Sequence, residues 1–229
     1  LKKHYPGSLI GAVEALQCPT LYNNGFGDHR IEGIGDKHVP WIHNVRNTDA
    51  VVAIDDEDTI RILRLFNEPA GQAWLAKNGV GKDVLEKLPL LGISGICNLL
   101  SAMKFSKYYE LGPDDVVLTV FTDSEELYTS RLEDLRKDRG PYVEVDAAKD
   151  LDRRLHGAQT DFLRELNYRD RKALHNLKYF TWVEQQGKTS DELRQLWDPA
   201  YWDAQYEEAR GWDALIDSFN ARTGVLASM

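Results

Sequence analysis

The chain is poor in the residues that mark secreted, membrane-spanning and nucleic-acid-binding proteins. Only two cysteines occur in 229 residues, too few for a disulfide scaffold. Cys18 and Cys97 lie in apolar surroundings without metal or redox spacing, the pattern of buried free thiols. That usage suits a reducing, cytoplasmic compartment. No apolar run reaches the roughly 18 residues of a membrane span, so none is expected. Basic charge is scarce: 28 Lys and Arg face 37 Asp and Glu, a formal net charge of −9. This argues against a nucleic-acid surface. There is no Walker-type phosphate loop, no Ser-His-Asp order, no Asn-x-Ser/Thr acceptor and no internal repeat. His38 and His43 flank Pro40-Trp41, with Asp36 nearby, but a spacing of five fits no common zinc motif. No metal site is expected. What remains is ordinary for a globular protein, with 42% hydrophobic and 28% charged residues.

Strands and helices alternate in the first part of the chain. Leu9 to Val13 is a short apolar strand. Asn23-Asn24-Gly25 and Gly27 mark a loop. Asp49 precedes a strand over Ala50 to Ile54, and Asp55-Asp56-Glu57-Asp58 supplies a cap and an acidic first turn for a helix through Phe66. A short helix, Gln72 to Asn78, is expected between Pro69-Ala70-Gly71 and Gly79-Val80-Gly81. From Gly92-Ile93-Ser94-Gly95, apolar residues at Ile96, Leu99, Leu100 and Met103 recur at helical spacing. Gly112-Pro113 stops that helix, and Val116 to Phe121 reads as a buried strand. Thr122-Asp123-Ser124 comes next, where open α/β sheets place their ligands. The reading is an α/β fold with a parallel sheet flanked by helices, over residues 1–145.

Beyond Gly140-Pro141 the pattern changes, and 146–229 reads as an all-helical extension. Asp198-Pro199 caps one helix there. Trp202, Tyr206, Trp212, Ile216 and Phe219 form one stripe, expected to pack on the chain's own body or to form a subunit interface. Lys104 and Lys107, and the clusters Arg136 to Arg139 and Arg169 to Lys172, read as solvated faces.

Four segments, in order, resemble the cysteine synthase and cystathionine β-synthase family of fold-type II pyridoxal-phosphate enzymes. Leu1-Lys2-Lys3-His4-Tyr5-Pro6 with Leu9 to Glu14 is similar to the stretch after that family's phosphate-binding loop. His29-Arg30-Ile31-Glu32-Gly33-Ile34-Gly35, with Val39-Pro40, resembles the glycine loop beside the cofactor. Gly92-Ile93-Ser94-Gly95 resembles a helix start, with one residue fewer than the family spacing. Val116 to Arg131 resembles the C-terminal strand and its polar turn. The resemblance covers about the first 135 residues.

It implies pyridoxal 5'-phosphate as cofactor and a small amino acid as substrate. By motif position Ser124 would meet the pyridine nitrogen. A hydroxyl there exchanges a hydrogen bond and leaves the ring closer to neutral than a carboxylate would. Asp123, one residue away, should face the other side if strand geometry persists. Gly33 and Gly35 would let backbone approach the flat ring. The family's lysine, asparagine loop and phosphate loop all precede the point where this chain begins. Leu1 is not methionine and falls within a helix pattern. The chain is therefore expected to be the C-terminal portion of a longer enzyme, split, processed or truncated. Its catalytic lysine would lie in the missing N-terminal portion or a complementary chain, and the complete protein is expected to be a homo-oligomer, a dimer. The implied activity is β-elimination or β-replacement. A threonine synthase-like or ammonia-lyase activity is the alternative within enzymes, and a noncatalytic binding or assembly subunit the alternative outside them.

Overall fold

Residues 50–54 form the strand on which the molecule is built. In the computed structural model, which describes residues 1–228, all five residues of Ala50–Ile54 (β2) are buried. A strand without a polar face needs cover on both sides. It pairs in parallel with Gly11–Ala15 (β1), with Gly11 opposite Ala50 and Ala15 opposite Ile54. On its other edge it pairs antiparallel with Leu163–Glu165 (β3). The sheet order is β1-β2-β3.

The helices are placed by caps and apolar faces. Thr20–Asn23 (α1) comes after β1, and the buried Glu14 carboxylate accepts the Leu21 and Tyr22 backbone N–H groups at 2.9 and 2.7 Å. Asp55 caps Asp56–Asn67 (α2) by accepting from Glu57 N at 2.9 Å. Pro69–Lys77 (α3) and Lys82–Leu85 (α4) lead to Ile93–Tyr108 (α5). Helix α5 packs on α2 and on both β1 and β2. Their contact buries Ile54, Ile62, Leu63, Ile93 and Ile96 completely. Each such side chain contributes about 1.5–3 kcal/mol relative to exposure. Thr129–Arg139 (α6) and Glu144–Asp150 (α7) lie over α2 and α3. Then come Tyr168–Lys178 (α8), Ser190–Gln195 (α9), Pro199–Ala209 (α10) and Trp212–Thr223 (α11). Helices α7 and α8 each end in a π-helical turn, at 151–156 and 179–183.

The mixed α/β class, the strand at 50–54, the capped helix after it and the Asp198 cap, which accepts from Ala200 N at 2.9 Å, all match the sequence reading. Several expectations do not hold. Val116 to Phe121 joins no strand among the described residues. Val116, Leu118 and Val120 are 90%, 84% and 63% exposed. The composition suits a strand, yet no backbone among the described residues pairs with it; Asn98 Nδ2, donating to Val120 O at 2.8 Å, ties down one carbonyl. The extension is not purely helical, since β3 extends the sheet from within it. Lys104 is not a solvated face residue. It is buried, and its Nζ donates to Asp161 Oδ1 and O at 2.6 and 3.0 Å. Arg136, Arg139 and Arg171 also have fixed partners, in Glu68, Glu57 and Asp49 respectively. The aromatic stripe divides. Trp202 donates to Leu196 O and Tyr206 meets Lys3 and His4, whereas Trp212, Ile216 and Phe219 are more than half exposed.

The acidic start of α2 has a consequence for acid stability. Burial raises the Glu57 carboxyl, but hydrogen bonds from Arg139 and Arg30 outweigh it and hold the pKa at about 2, below its ordinary 4.5. A depressed carboxylate stabilises the fold above its unfolded pKa. That stability fades as pH falls from about 4.5 toward 2. Glu57→Gln should therefore flatten the loss of melting temperature over this window, as read by circular dichroism. An unchanged acid profile would remove Glu57 from the account.

Candidate functional site

The residues singled out from sequence come together at the N-terminus of α5. Its cap is Gly92, in extended conformation, so the helix opens without a side-chain cap. Gly92 N instead donates to Asp123 O at 3.0 Å, which draws 122–124 against the helix start. The Asp123 carboxylate accepts from the Tyr128 hydroxyl at 2.6 Å. Ser94 Oγ and Thr122 Oγ1 lie 3.1 Å apart. The glycine loop closes the cluster from the other side, since a Cβ on Gly33 would sit 3.8 Å from Ser94 Cβ. Arg131 Nε donates to Glu32 Oε1 at 2.6 Å, joining that loop to α6.

Each predicted residue has a definite place. Gly33 and Gly35 have φ of +86° and +102°, a region that only glycine enters cheaply. At Gly33 that conformation, rather than crowding, excludes other residues. At Gly35 a Cβ would also meet the imidazole of His29 at 2.5–3.2 Å, so the close neighbour of this glycine is the chain's own ring. Asp123 is turned toward Gly92 and Tyr128. Ser124 is half-buried, its backbone extended at φ −121° and ψ 167°. Its hydroxyl has no hydrogen-bond partner among the described residues.

Electrostatics leave two unsatisfied polar atoms here. Asp123 Oδ1 and His29 Nδ1 are buried without a hydrogen-bond partner, a rare condition that calls for a further donor or acceptor. Burial, reinforced by the hydrogen bond to Asp123, raises the Tyr128 phenol far above its ordinary value. Tyr128 thus stays a donor to Asp123 across the working pH range. Sequence reasoning missed Tyr128, Arg131 and His29 as members of the cluster. No motif flags an interaction made across the fold. A cavity of about 870 Å3 lies elsewhere, between β1, α5 and residues 111–119.

Gly92 offers a test of this packing. A Cβ at that position would overlap the Asp123 carboxylate and come within 2.8 Å of Tyr128 Cε2. Gly92→Ala should destabilise the protein by about 1–3 kcal/mol, the usual range for overpacking. Urea unfolding measures it. A stability unchanged within about 0.5 kcal/mol would mean that Asp123 is free to leave α5.

Pyridoxal phosphate is a flat pyridine ring with a ring nitrogen, a carbonyl and a phosphate. The cluster suits the ring end: a Ser124 hydroxyl without a partner among the described residues and a glycine loop facing α5, with the unpartnered Asp123 oxygen turned toward Gly92. The two buried lysines, Lys104 and Lys178, are already engaged with chain oxygens.

No protein-family model matches the chain. It is 31% identical over 121 residues to cysteine synthase B of Campylobacter jejuni, covering 53% of this chain and 33% of that protein. Against cysteine synthase of Staphylococcus aureus strain Mu50 the identity is 26% over 130 residues, covering 57% and 36%. The chain thus spans about a third of the length of these curated relatives. Among solved structures, a hydrogen sulfide-producing enzyme from Fusobacterium nucleatum aligns at TM-score 0.44 with 26% identity, over 72% of this chain and 40% of that one. A little over half of this chain is thus similar in sequence to proteins named cysteine synthase.

Proposed function

We propose that the chain supplies the ring-facing side of a pyridoxal-phosphate site in a lyase or synthase that performs β-elimination or β-replacement on a small amino acid. The observation that carries this reading is the convergence of Gly33, Ser94 and the 122–124 turn at one helix start. Ser124 and the Gly33–Gly35 loop would hold the ring, with Asp123 orienting the turn. When bound, the cofactor supplies an electron sink for the substrate's Cα. The chain's own part is to position the ring nitrogen opposite a neutral hydroxyl, to close one side of the ring to water, and to fix Ser124 through the Asp123–Tyr128 and Asp123–Gly92 bonds. A hydroxyl rather than a carboxylate at the ring nitrogen makes a weaker sink, suited to reactions in which a leaving group soon takes the electrons. The lysine that anchors the cofactor and the phosphate cradle would come from a portion outside these residues.

The division at about residue 145, the homodimer and the cytoplasmic location belong to the same proposal. The test is cofactor trapping. Residues 1–229 alone, treated with pyridoxal phosphate and borohydride, should show no lysine modified above background. The complete, lysine-bearing protein should show one modified lysine outside this chain and should release or replace a β-substituent. A specific adduct on a lysine of this chain, or a complete protein that binds no cofactor, would overturn the reading.

A further inference from the structure

The 168–183 segment carries a pair of side chains that the candidate site does not use. Lys178 is fully buried, and no carboxylate among the described residues pairs with it. Its Nζ donates to Trp41 O at 2.8 Å and His43 O at 2.6 Å. Four residues on, Trp182 Nε1 donates to Val39 O at 2.9 Å. One helical face therefore holds three carbonyls, at 39, 41 and 43. These lie a few residues beyond the glycine loop. The grip is reinforced by packing. The Trp41 and Trp182 rings lie 6.1 Å apart, and Lys188 stands over Trp41 at 5.3 Å. Beneath them, Val39, Val45, Val51, Leu166 and Leu174 form a core separate from the main one.

Isolating a fully buried ammonium is costly unless its hydrogen bonds are made. Burial lowers Lys178 to about 8. Burial first, and the Lys178 charge second, push His43 and His175 to about 4. Both imidazoles are neutral near pH 7, so neither adds a charge beside Lys178. An apolar residue would pack there at lower cost. The ammonium instead matches the Trp41 carbonyl, which meets no backbone N–H among the described residues, and the His43 carbonyl, which also accepts from Val45 N at 3.0 Å.

We propose that Lys178 and Trp182 are positioning residues, which clamp the backbone of 39–43 and thereby fix the glycine loop at Gly33–Gly35 that faces the start of α5. That loop is also anchored by Thr20 Oγ1, donating to Asp36 O at 2.5 Å, by Asp56, accepting from Arg30 N at 2.9 Å, and at Glu32 by Arg131. The first two hold its two ends near the sheet, and the clamp holds residues 39–43 directly behind it. The meaning of the clamp for catalysis rests on the cofactor reading above. The clamp itself does not.

Hydrogen exchange with mass spectrometry on the chain tests it directly. Lys178→Met removes the ammonium and keeps an unbranched stem. Trp182→Phe removes the indole N–H while keeping an aromatic ring beside Trp41, and guards against a Lys178→Met that fails to fold. In both variants, amides of 33–45 should exchange about tenfold faster or more, while those of β1, β2 and α5 keep the parent rate. Unchanged exchange over 33–45, or an equal acceleration everywhere, would overturn the clamp. In the complete, lysine-bearing protein, the same variants should weaken pyridoxal phosphate binding about tenfold, as read by cofactor fluorescence. Selective loosening of 33–45 with unaltered cofactor affinity would overturn the positioning role. A parent protein that binds no cofactor would fail the proposed function and not the clamp, since exchange decides the clamp without any cofactor.

Discussion

Ser124→Ala in the complete, cofactor-bearing protein is expected to slow turnover about 5- to 150-fold, equivalent to about 1–3 kcal/mol for one lost hydrogen bond to the ring. Under the proposed function the cofactor should stay bound, because the proposal places its phosphate cradle and lysine anchor outside this chain. Steady-state kinetics and the cofactor absorption band read the two effects separately. Ser124→Asp should alter the band in the opposite sense from Ser124→Ala, since a carboxylate favours a protonated ring nitrogen. The neighbouring aspartate behaves differently in this fold. Asp123 is bound by Tyr128 and faces Gly92. Asp123→Asn should therefore cost stability while leaving the absorption band close to that of the parent. A larger spectral change from Asp123→Asn than from Ser124→Ala would exchange the roles of the two residues.

The largest expected effect on stability lies at the corner between α2 and α3. Arg64 is 1% exposed, a buried guanidinium in the last turn of α2. Its Nε donates to Glu68 Oε1 at 3.3 Å, its Nη2 to Gly140 O at 2.9 Å, and it lies 5.0 Å from the centre of the Tyr142 ring. Glu68 is 4% exposed and also takes two hydrogen bonds from Arg136 Nε, at 3.1 and 3.0 Å. Glu68→Ala would leave the Arg64 charge buried without a counter-charge. Removing one partner of such a pair costs about 3–5 kcal/mol. Denaturant unfolding should show this loss, and the double variant Glu68→Ala with Arg64→Met should recover part of it. A loss below about 1 kcal/mol for Glu68→Ala would mean that water reaches Arg64 and that the corner is looser than the packing indicates.

Local signals were legible where a few neighbouring residues decide the outcome. The strand at 50–54, the Asp55 and Asp198 caps, the helix opening on Gly92-Ile93-Ser94-Gly95 and the buried thiols of Cys18 and Cys97 all rest on spacing, capping and composition within one or two turns. The same holds for positive φ at Gly33 and Gly35, which the loop imposes on itself. The four motif segments and their order, from which the family resemblance came, are likewise properties of the linear chain.

Pairing and burial across the fold were decided elsewhere. Val116 to Phe121 has the composition of a strand, but a strand needs a partner's backbone, and periodicity carries no information about that partner. Leu163 to Glu165 has little strand character, yet it pairs because the edge of β2 opposite β1 is open to it. Lys104 and Lys178 look like solvated residues on amphipathic helices. They are buried because carbonyls of distant segments, at 161, 41 and 43, converge on their ammonium groups and offset the cost of leaving water. Asp123 and Ser124 are adjacent in sequence, and motif position there favours Ser124 for the ring and sets Asp123 on the other side. Their contacts differ because only the tertiary structure brings Gly92 and Tyr128 against one of them and leaves the hydroxyl of the other without a partner.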